Sequence, residues 1–177
     1  VELEKVEESL KKMVNWFNNE AIQHRPHIKP HKSIELAKLQ INLGAKGIAC
    51  ATLSEAEVMA EGGIDDILIA FPIVGKENLE RFYHLSKRAK IITIVDSDVV
   101  AKGLSEVGER LNRKVEVLIE LDGGIHRGGV QPDQEALDFA KDISQLPGIN
   151  IVGLFTYLGQ IYNQPSLKNI EAMAREE

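Results

Sequence analysis

Apolar residues recur along this chain in two alternating patterns, and each pattern predicts a different kind of element. Apolar residues at helical spacing predict helices over 3–20, 33–43, 54–62, 76–89, 97–112, 132–146 and 167–175. Short runs rich in β-branched residues predict strands over 22–29, 48–52, 67–70, 91–95, 115–121 and 149–157. The chain therefore alternates between strand and helix about six times.

Residues that start and stop helices lie at the predicted boundaries. Ser33 is placed to cap the second helix, and Gly44 is placed to end it. Ser54 with Glu57 fits a capping box for the third helix. These signals support the assignment of the intervening segments as helices.

The predicted strands are almost continuously apolar, which is typical of a parallel sheet covered by helices on both faces. The two candidate folds are an open doubly wound sheet and a TIM-type (β/α) barrel. An open sheet usually has a glycine-rich nucleotide loop after an early strand, but residues 29–32 after the first strand contain no glycine. We therefore expect a barrel. A complete barrel has eight units in about 250 residues, so about six units make an incomplete one.

Composition excludes several functional classes. The 177 residues carry a formal net charge of -6 with no basic stripe, so we expect neither nucleic-acid nor membrane-surface binding. The longest apolar stretches, such as 67–74, are far too short to span a bilayer. Cys50, the single cysteine, lies in an apolar run where we expect it to be buried. A lone cysteine without an internal partner favours a cytoplasmic protein.

The densest polar cluster is residues 24–32, at the end of the first predicted strand, where barrel enzymes place catalytic groups. Strand alternation would put Arg25, His27 and Lys29 on one face. Burial and neighbouring positive charge would lower the pKa of Lys29 and make its amine a nucleophile that forms Schiff bases. Pro30 would hold Lys29 extended. The alternatives are a solvated surface, or a histidine metal site whose spacing is not a standard one.

Two further clusters follow later strands. Residues 120–130 include four glycines, which allow close approach to a ligand, and Arg127, which offers a planar fork to an anion or phenolate. The alternative is a flexible loop with a surface arginine. Tyr157 and Gln160 follow the sixth predicted strand, where the tyrosine either faces a ligand or lies at the boundary with its hydroxyl in water.

Taken together, these clusters resemble the D-threonine aldolase and eukaryotic-type D-serine dehydratase group of the alanine-racemase-like, fold type III pyridoxal-phosphate enzymes. Residues 25–32, with the sequence RPHIKPHK, resemble the signature around that group's cofactor lysine. Segments 44–57, 63–70 and 122–130 resemble later parts of the family in the same order. The resemblance covers about residues 1–165.

The resemblance implies a role for each candidate residue. Lys29 would carry pyridoxal 5'-phosphate as a Schiff base and later move the substrate's α-proton. Arg127 would donate a hydrogen bond to the cofactor's ring oxygen, and Tyr157 would lie against the pyridine ring. His31 and Gln160 would be near neighbours of the cofactor. The family usually has a small or hydroxylated residue where this chain has Pro30, which removes a backbone donor.

The resemblance also implies what lies outside this chain, because the family's phosphate-binding loops follow the last barrel strands and its divalent metal is held by a C-terminal β-domain. Residues 1–177 would then be the N-terminal part of the barrel and would be inactive alone, with no metal site of their own. The expected function is a lyase for D-3-hydroxy amino acids, homodimeric when full length. The alternatives are an amino-acid racemase of the same fold and a non-catalytic pyridoxal-phosphate homeostasis protein.

Overall fold

The computed structural model describes residues 2–176, and it divides into two compact units. The first unit extends to Thr93, and the second begins at Ile94. Both units are α/β in composition, with parallel strands followed by helices. Among the described residues, no helix is both long enough and apolar enough to cross a membrane.

The first unit contains four helices and most of three parallel strands. The helices are α1 (Leu3–Asn19), α2 (Ile34–Asn42), α3 (Leu53–Glu61) and α4 (Lys76–Leu85). The strands are β1 (Ile48–Cys50), β2 (Asp66–Ile69) and β3 (Lys90–Val95), whose last residues belong to the second unit. Strand β2 pairs in parallel with both β1 and β3, so that Ile67 lies between Ile48 and Ile91. Ile48, Cys50 and Ile67 are fully buried, as expected for strands covered on both faces.

The predicted burial of Cys50 is confirmed. Its thiol is fully buried, and burial raises its pKa to about 12, with the nearby charge of Glu55 acting in the same direction. A thiol in this environment stays protonated at neutral pH and is an inert core residue.

The second unit contains two parallel strands with helices after each. The strands are β4 (Val115–Leu121) and β5 (Ile149–Thr156), and the helices are α5 (Asp98–Arg110), α6 (Gln134–Ser144), a short 3₁₀ helix (Gly159–Asn163) and α7 (Leu167–Glu176). The register shifts within the β4–β5 pair, because Val117 pairs with Ile151 but Leu118 pairs with Gly153. Val152 is thus the extra residue of a β-bulge.

The strand predicted over 22–29 is wrong as a regular strand, so the described part of the chain contains five strands rather than six. Only His27 pairs there, in an isolated parallel bridge with Ala49. The Ile28 amide donates to the Ala49 carbonyl at 2.9 Å, and the Ala49 amide donates to the Pro26 carbonyl at 2.8 Å. The segment is extended, but Pro26 and Pro30 have no N–H to continue a ladder.

The predicted helix boundaries are partly confirmed. The Ser33 hydroxyl accepts the Leu36 N–H at 3.2 Å, as expected for the cap of α2. The capping box predicted from Ser54 and Glu57 is wrong, because Thr52 is the cap of α3 and accepts the N–H of Glu55 at 3.2 Å. A hydroxyl three residues before a glutamate occurs at both positions, and sequence spacing does not distinguish them.

Candidate functional site

Lys29 lies on a tight turn that follows the extended segment. Ile28 is fully buried, and its carbonyl accepts the N–H groups of His31 at 3.1 Å and Lys32 at 2.8 Å. Lys32 closes the turn with a φ of 50°, a left-handed conformation that costs energy for a residue with a Cβ. Lys29 itself is exposed, so the crowded, dry surroundings predicted for it are absent from the described part of the chain.

Two imidazoles contact the backbone of this turn. His27 Nδ1 accepts the Lys29 N–H at 3.2 Å. Burial and then the positive charge of Lys29 lower the pKa of His27, although Glu55 acts in the opposite direction. His31 Nδ1 accepts the Ser33 N–H at 3.1 Å, and its buried Nε2 has no hydrogen-bond partner among residues 2–176. A neutral His31 would therefore present an N–H at Nε2 to whatever lies beyond it.

Glu55 ties this turn to the end of β1. One carboxylate oxygen accepts the Ala51 N–H at 2.7 Å, and the other lies 3.0 Å from Lys32 Nζ. The Glu55 side chain is 9% exposed, whereas that of Lys32 is 63% exposed. Burial alone would raise the pKa of Glu55, but the hydrogen bonds from Lys32 and Ala51 outweigh it and hold the pKa below its ordinary value.

Arg25 is a structural anchor, because its guanidinium is held by Asp66, which is not the role beside Lys29 that strand alternation predicted. Its guanidinium binds the Asp66 carboxylate at 2.7 Å and donates to the carbonyls of Ile48 at 3.3 Å and Asp66 at 3.2 Å. A Cβ at Gly47 would overlap both this guanidinium and the Asp66 carbonyl. The polar fork thus fastens the extended segment to β1 and β2.

The glycine-rich loop after β4 is ordered by Asp122. Its carboxylate accepts the N–H groups of Gly124 and His126, each at 3.0 Å, the His126 imidazole at 2.6 Å and the Gln131 amide at 3.1 Å. These bonds, led by that of the His126 side chain, lower the pKa of Asp122 to about 2. Gly129 has a φ of 96°, and a Cβ there would meet the backbone of Leu121. The loop is therefore held by its own hydrogen bonds, which disfavours the flexible loop considered as the alternative.

Arg127 lies on this loop and faces both an aromatic ring and a carboxyl group. Its Cζ is 4.6 Å from the centroid of the Tyr157 ring, and its Nη2 is 3.7 Å from Glu120 Oε1. The Arg127 side chain is 52% exposed, while that of Glu120 is 6% exposed. Burial raises the pKa of Glu120 most, Arg127 opposes that effect, and Asp96 adds to it.

Gln160 is the first-turn residue of the 3₁₀ helix, and its side-chain amide donates to the Gly123 carbonyl. A cavity of about 740 Å³ lies beside this contact, lined by Asp122, Gly123, Gly124 and Gln160 together with residues of β5. Neither Arg127 nor Tyr157 lines it. The cavity is therefore separate from the surface that the Arg127–Tyr157 pair presents.

The candidate residues form one cluster in each unit: Lys29 with His31 in the first, and Arg127 with Tyr157 and Gln160 in the second. Three further residues, Glu55, Asp66 and Glu120, have roles near these clusters that the sequence analysis missed. Glu120 had a signal in the sequence, because it is one of two glutamates, with Glu116, in a strand that is apolar elsewhere. Glu55 and Asp66 had none, since each acts through a partner distant in sequence.

The residues present fit pyridoxal phosphate in two respects. Lys29 offers a primary amine on an exposed turn, and amines of this kind bind aldehydes covalently. Arg127 offers a half-exposed guanidinium, whose planar donors suit an anionic ring oxygen. Within residues 2–176, no group of three or more His, Cys, Asp or Glu side chains is arranged to hold a metal ion.

Comparison with known proteins finds relatives of one kind, both by sequence and by structure. A D-threonine aldolase from Arthrobacter sp. is 37% identical over 164 residues, covering 91% of this chain and 42% of the relative. A D-threo-3-hydroxyaspartate dehydratase from Delftia sp. is 30% identical over 179 residues, covering 100% of this chain and 47% of the relative. The crystal structure of D-threonine aldolase from Filomicrobium marinum superimposes with a TM-score of 0.95 at 32% identity, covering 99% of this chain and 47% of that one.

The chain thus spans about half the length of these relatives, and they align with nearly all of it. The family model for the alanine racemase N-terminal domain matches residues 1–175. The TIM-type barrel predicted from the strand and helix pattern agrees with this match. The chain belongs to the alanine racemase N-terminal domain family, within which its relatives include lyases of D-3-hydroxy amino acids.

Proposed function

We propose that the protein containing this chain is a pyridoxal-phosphate-dependent lyase that acts on D-3-hydroxy amino acids, of the D-threonine aldolase or D-serine dehydratase type. The observation that carries the proposal is the Lys29 turn, in which an exposed primary amine follows an ordered, extended segment. Support for a lyase comes from relatives of that class that align with 91% and 100% of the chain.

In this proposal Lys29 holds the cofactor through a covalent bond from Nζ. Its backbone is fixed on both sides, because Ile28 is buried and the Lys29 N–H is bonded to His27. These contacts fix the point from which the side chain extends. The same amine, when released, is placed to remove or return the proton at the substrate's α-carbon.

Arg127 would donate to the ring oxygen of the cofactor, and Tyr157 would support the pyridine ring. The contact between the two side chains fixes the guanidinium before any ligand binds, which lowers the ordering cost of binding. His31 Nε2 and Gln160 would be near neighbours, and the orphan Nε2 atom favours a polar partner for His31. When bound, pyridoxal phosphate supplies an electron sink for the electrons released at the α-carbon.

The substrate class decides which bond breaks after the α-carbon is activated. A lyase for 3-hydroxy amino acids needs a group that binds the 3-hydroxyl, and a divalent metal does this by lowering the hydroxyl's pKa. We place that metal in the complete protein outside this chain. We also propose that the remaining barrel strands and phosphate-binding loops lie outside residues 1–177, that the complete protein is a homodimer, and that it resides in the cytoplasm.

The test is a substrate panel given to the complete protein with pyridoxal phosphate, with and without a divalent metal. D-Threonine, D-serine and D-alanine are supplied in turn, and the products are identified. Formation of glycine and acetaldehyde, or of pyruvate and ammonia, supports the proposal. Interconversion of D- and L-alanine without metal and without cleavage products would show that the protein is a racemase instead.

A further inference from the structure

Strand β4 buries a carboxyl group near its end. The Glu120 side chain is 6% exposed, and it follows Ile119, which belongs to the apolar core. Burial raises the pKa of Glu120 most, while the charge of Arg127 opposes that effect. At a buried site a carboxylate costs more than an apolar side chain unless a partner compensates it. The position therefore calls for a role other than packing.

That role depends on Arg127, with which Glu120 forms an ion pair. Glu120 Oε1 lies 3.7 Å from Arg127 Nη2. Because the Arg127 side chain is 52% exposed, water screens the attraction, and the pair contributes little to the stability of the fold. The pair can still give direction, since a long arginine side chain has many rotamers of its own. A fixed carboxylate selects among them.

The backbone holds the two residues in a fixed relation. Glu120 pairs with Phe155 in the sheet, and its carbonyl accepts the Val130 N–H at 2.9 Å, which closes the glycine-rich loop onto the strand. Arg127 lies within this loop. The carboxyl group and the guanidinium therefore belong to one closed piece of backbone.

Tyr157 and Glu120 constrain the guanidinium in different ways. The Tyr157 ring attracts the cation, with Cζ 4.6 Å from the ring centroid, but a ring face does not select one N–H group over another. A carboxylate oxygen does select, because it accepts from particular donors. Glu120 faces Nη2, and a guanidinium has five N–H donors in a planar fork, so it retains further donors for a ligand.

We infer that Glu120 is a positioning residue, which engages Nη2 of Arg127 and thereby turns the remaining N–H donors toward the ring oxygen of pyridoxal phosphate. This inference rests on the proposed function, in which Arg127 donates to that oxygen. Glu120 acts through Arg127 and does not touch the cofactor. Its effect on cofactor binding must therefore disappear when the Arg127 side chain is removed.

A double-mutant cycle in the complete protein tests this dependence. The dissociation constant of pyridoxal phosphate is measured by absorption titration in the wild type, Glu120→Gln, Arg127→Ala and the double variant. We expect Glu120→Gln to weaken binding about two- to five-fold, the range for losing an exposed ion pair. In the Arg127→Ala background the same change should have no effect. Glu135→Gln, which removes an exposed charge from α6, is the control and should bind like the wild type.

Glu120→Asp separates position from charge. Aspartate keeps the negative charge but is one methylene shorter, so its carboxylate withdraws from Nη2, and we expect this variant to bind the cofactor more weakly as well. A role through charge alone would leave Glu120→Asp like the wild type and would make Glu120→Gln bind the anionic cofactor more tightly. Either result would overturn the inference. If Glu120→Gln does not fold, Glu120→Asp replaces it in the cycle.

The outcomes also distinguish this inference from the proposed function. A wild type that forms no covalent bond to pyridoxal phosphate through Lys29 would refute the function, and the inference with it. A wild type with that bond, in which Glu120→Gln weakens binding equally with and without the Arg127 side chain, would overturn the inference alone. Glu120 would then act only by supporting the fold.

Discussion

The guanidinium of Arg127 lies over the ring of Tyr157, with Cζ 4.6 Å from the ring centroid. The two residues come from different elements, a glycine-rich loop after β4 and the end of β5, yet they form one cation–π contact. Such contacts are worth about 0.5–1 kcal/mol at exposed sites. The contact therefore sets the direction of the arginine more than it stabilises the fold.

Arg127→Ala should change the absorption spectrum of the bound cofactor without destabilising the fold. Because the side chain is 52% exposed, we expect the free energy of unfolding to change by less than about 1 kcal/mol. The absorption spectrum of bound cofactor should shift and turnover should fall, since the ring oxygen loses its donor. Arg127→Lys serves as the control that keeps charge without the planar fork. An unchanged spectrum and rate in Arg127→Ala would refute the role.

Glu120→Gln should show how much a buried carboxyl group destabilises the folded protein at neutral pH. Burial raises the pKa of Glu120 above its ordinary value of 4.5, so its contribution to stability is present below pH 4.5 and is lost as pH rises through the folded-state pKa. The variant should therefore unfold at a higher temperature than the wild type at pH 7, with a difference that shrinks toward pH 4.5. Exposed Glu135→Gln is the control. A variant that is less stable at pH 7 would contradict the prediction.

Gly47→Ala should destabilise the first unit. The added Cβ would overlap the Arg25 guanidinium and the Asp66 carbonyl, and the backbone carbonyl cannot move aside. We expect a loss of about 1–3 kcal/mol, as for other overpacked sites, measured by urea denaturation. Gly128→Ala is the matched control, because its Cβ would find its nearest neighbours at 3.7 Å. Equal stability of the two variants would show that the close packing of Arg25 is not required.

The 177-residue chain alone should associate and bind the cofactor weakly. Leu154 on β5 is 64% exposed and Val152 is 42% exposed, so this strand presents apolar surface to other chains. Leu154→Lys should reduce association, as measured by sedimentation at increasing concentration. The loops that would hold the phosphate lie outside the chain in our proposal. A monomer with submicromolar affinity for pyridoxal phosphate would contradict the prediction.

Sequence reasoning located the elements well where local chemistry decides them. Ser33 caps α2 as predicted, and β4 has the predicted bounds. It failed where the outcome depends on partners far along the chain. Arg25 looked like a neighbour of Lys29 because strand alternation placed it there, but Asp66 draws its guanidinium away. The choice of Thr52 over Ser54 as a cap depended equally on distant contacts, since the Ser54 hydroxyl accepts from Arg81 instead.

The β-bulge at Val152 adds one unpaired residue to β5 and so shifts the pairing of every later residue with β4 by one position. After it, Leu118 to Leu121 pair with Gly153 to Thr156, one position later than the register before the bulge would give. Burial along β5 alternates without a break through the bulge, so the offset changes which β4 residue each later residue pairs with and not the alternation of β5 itself. Tyr157, directly after the strand, inherits that offset. A single unpaired residue five positions earlier thus sets the place of Tyr157 relative to β4 and to the loop that carries Arg127, a place that Thr156 would have in the register before the bulge.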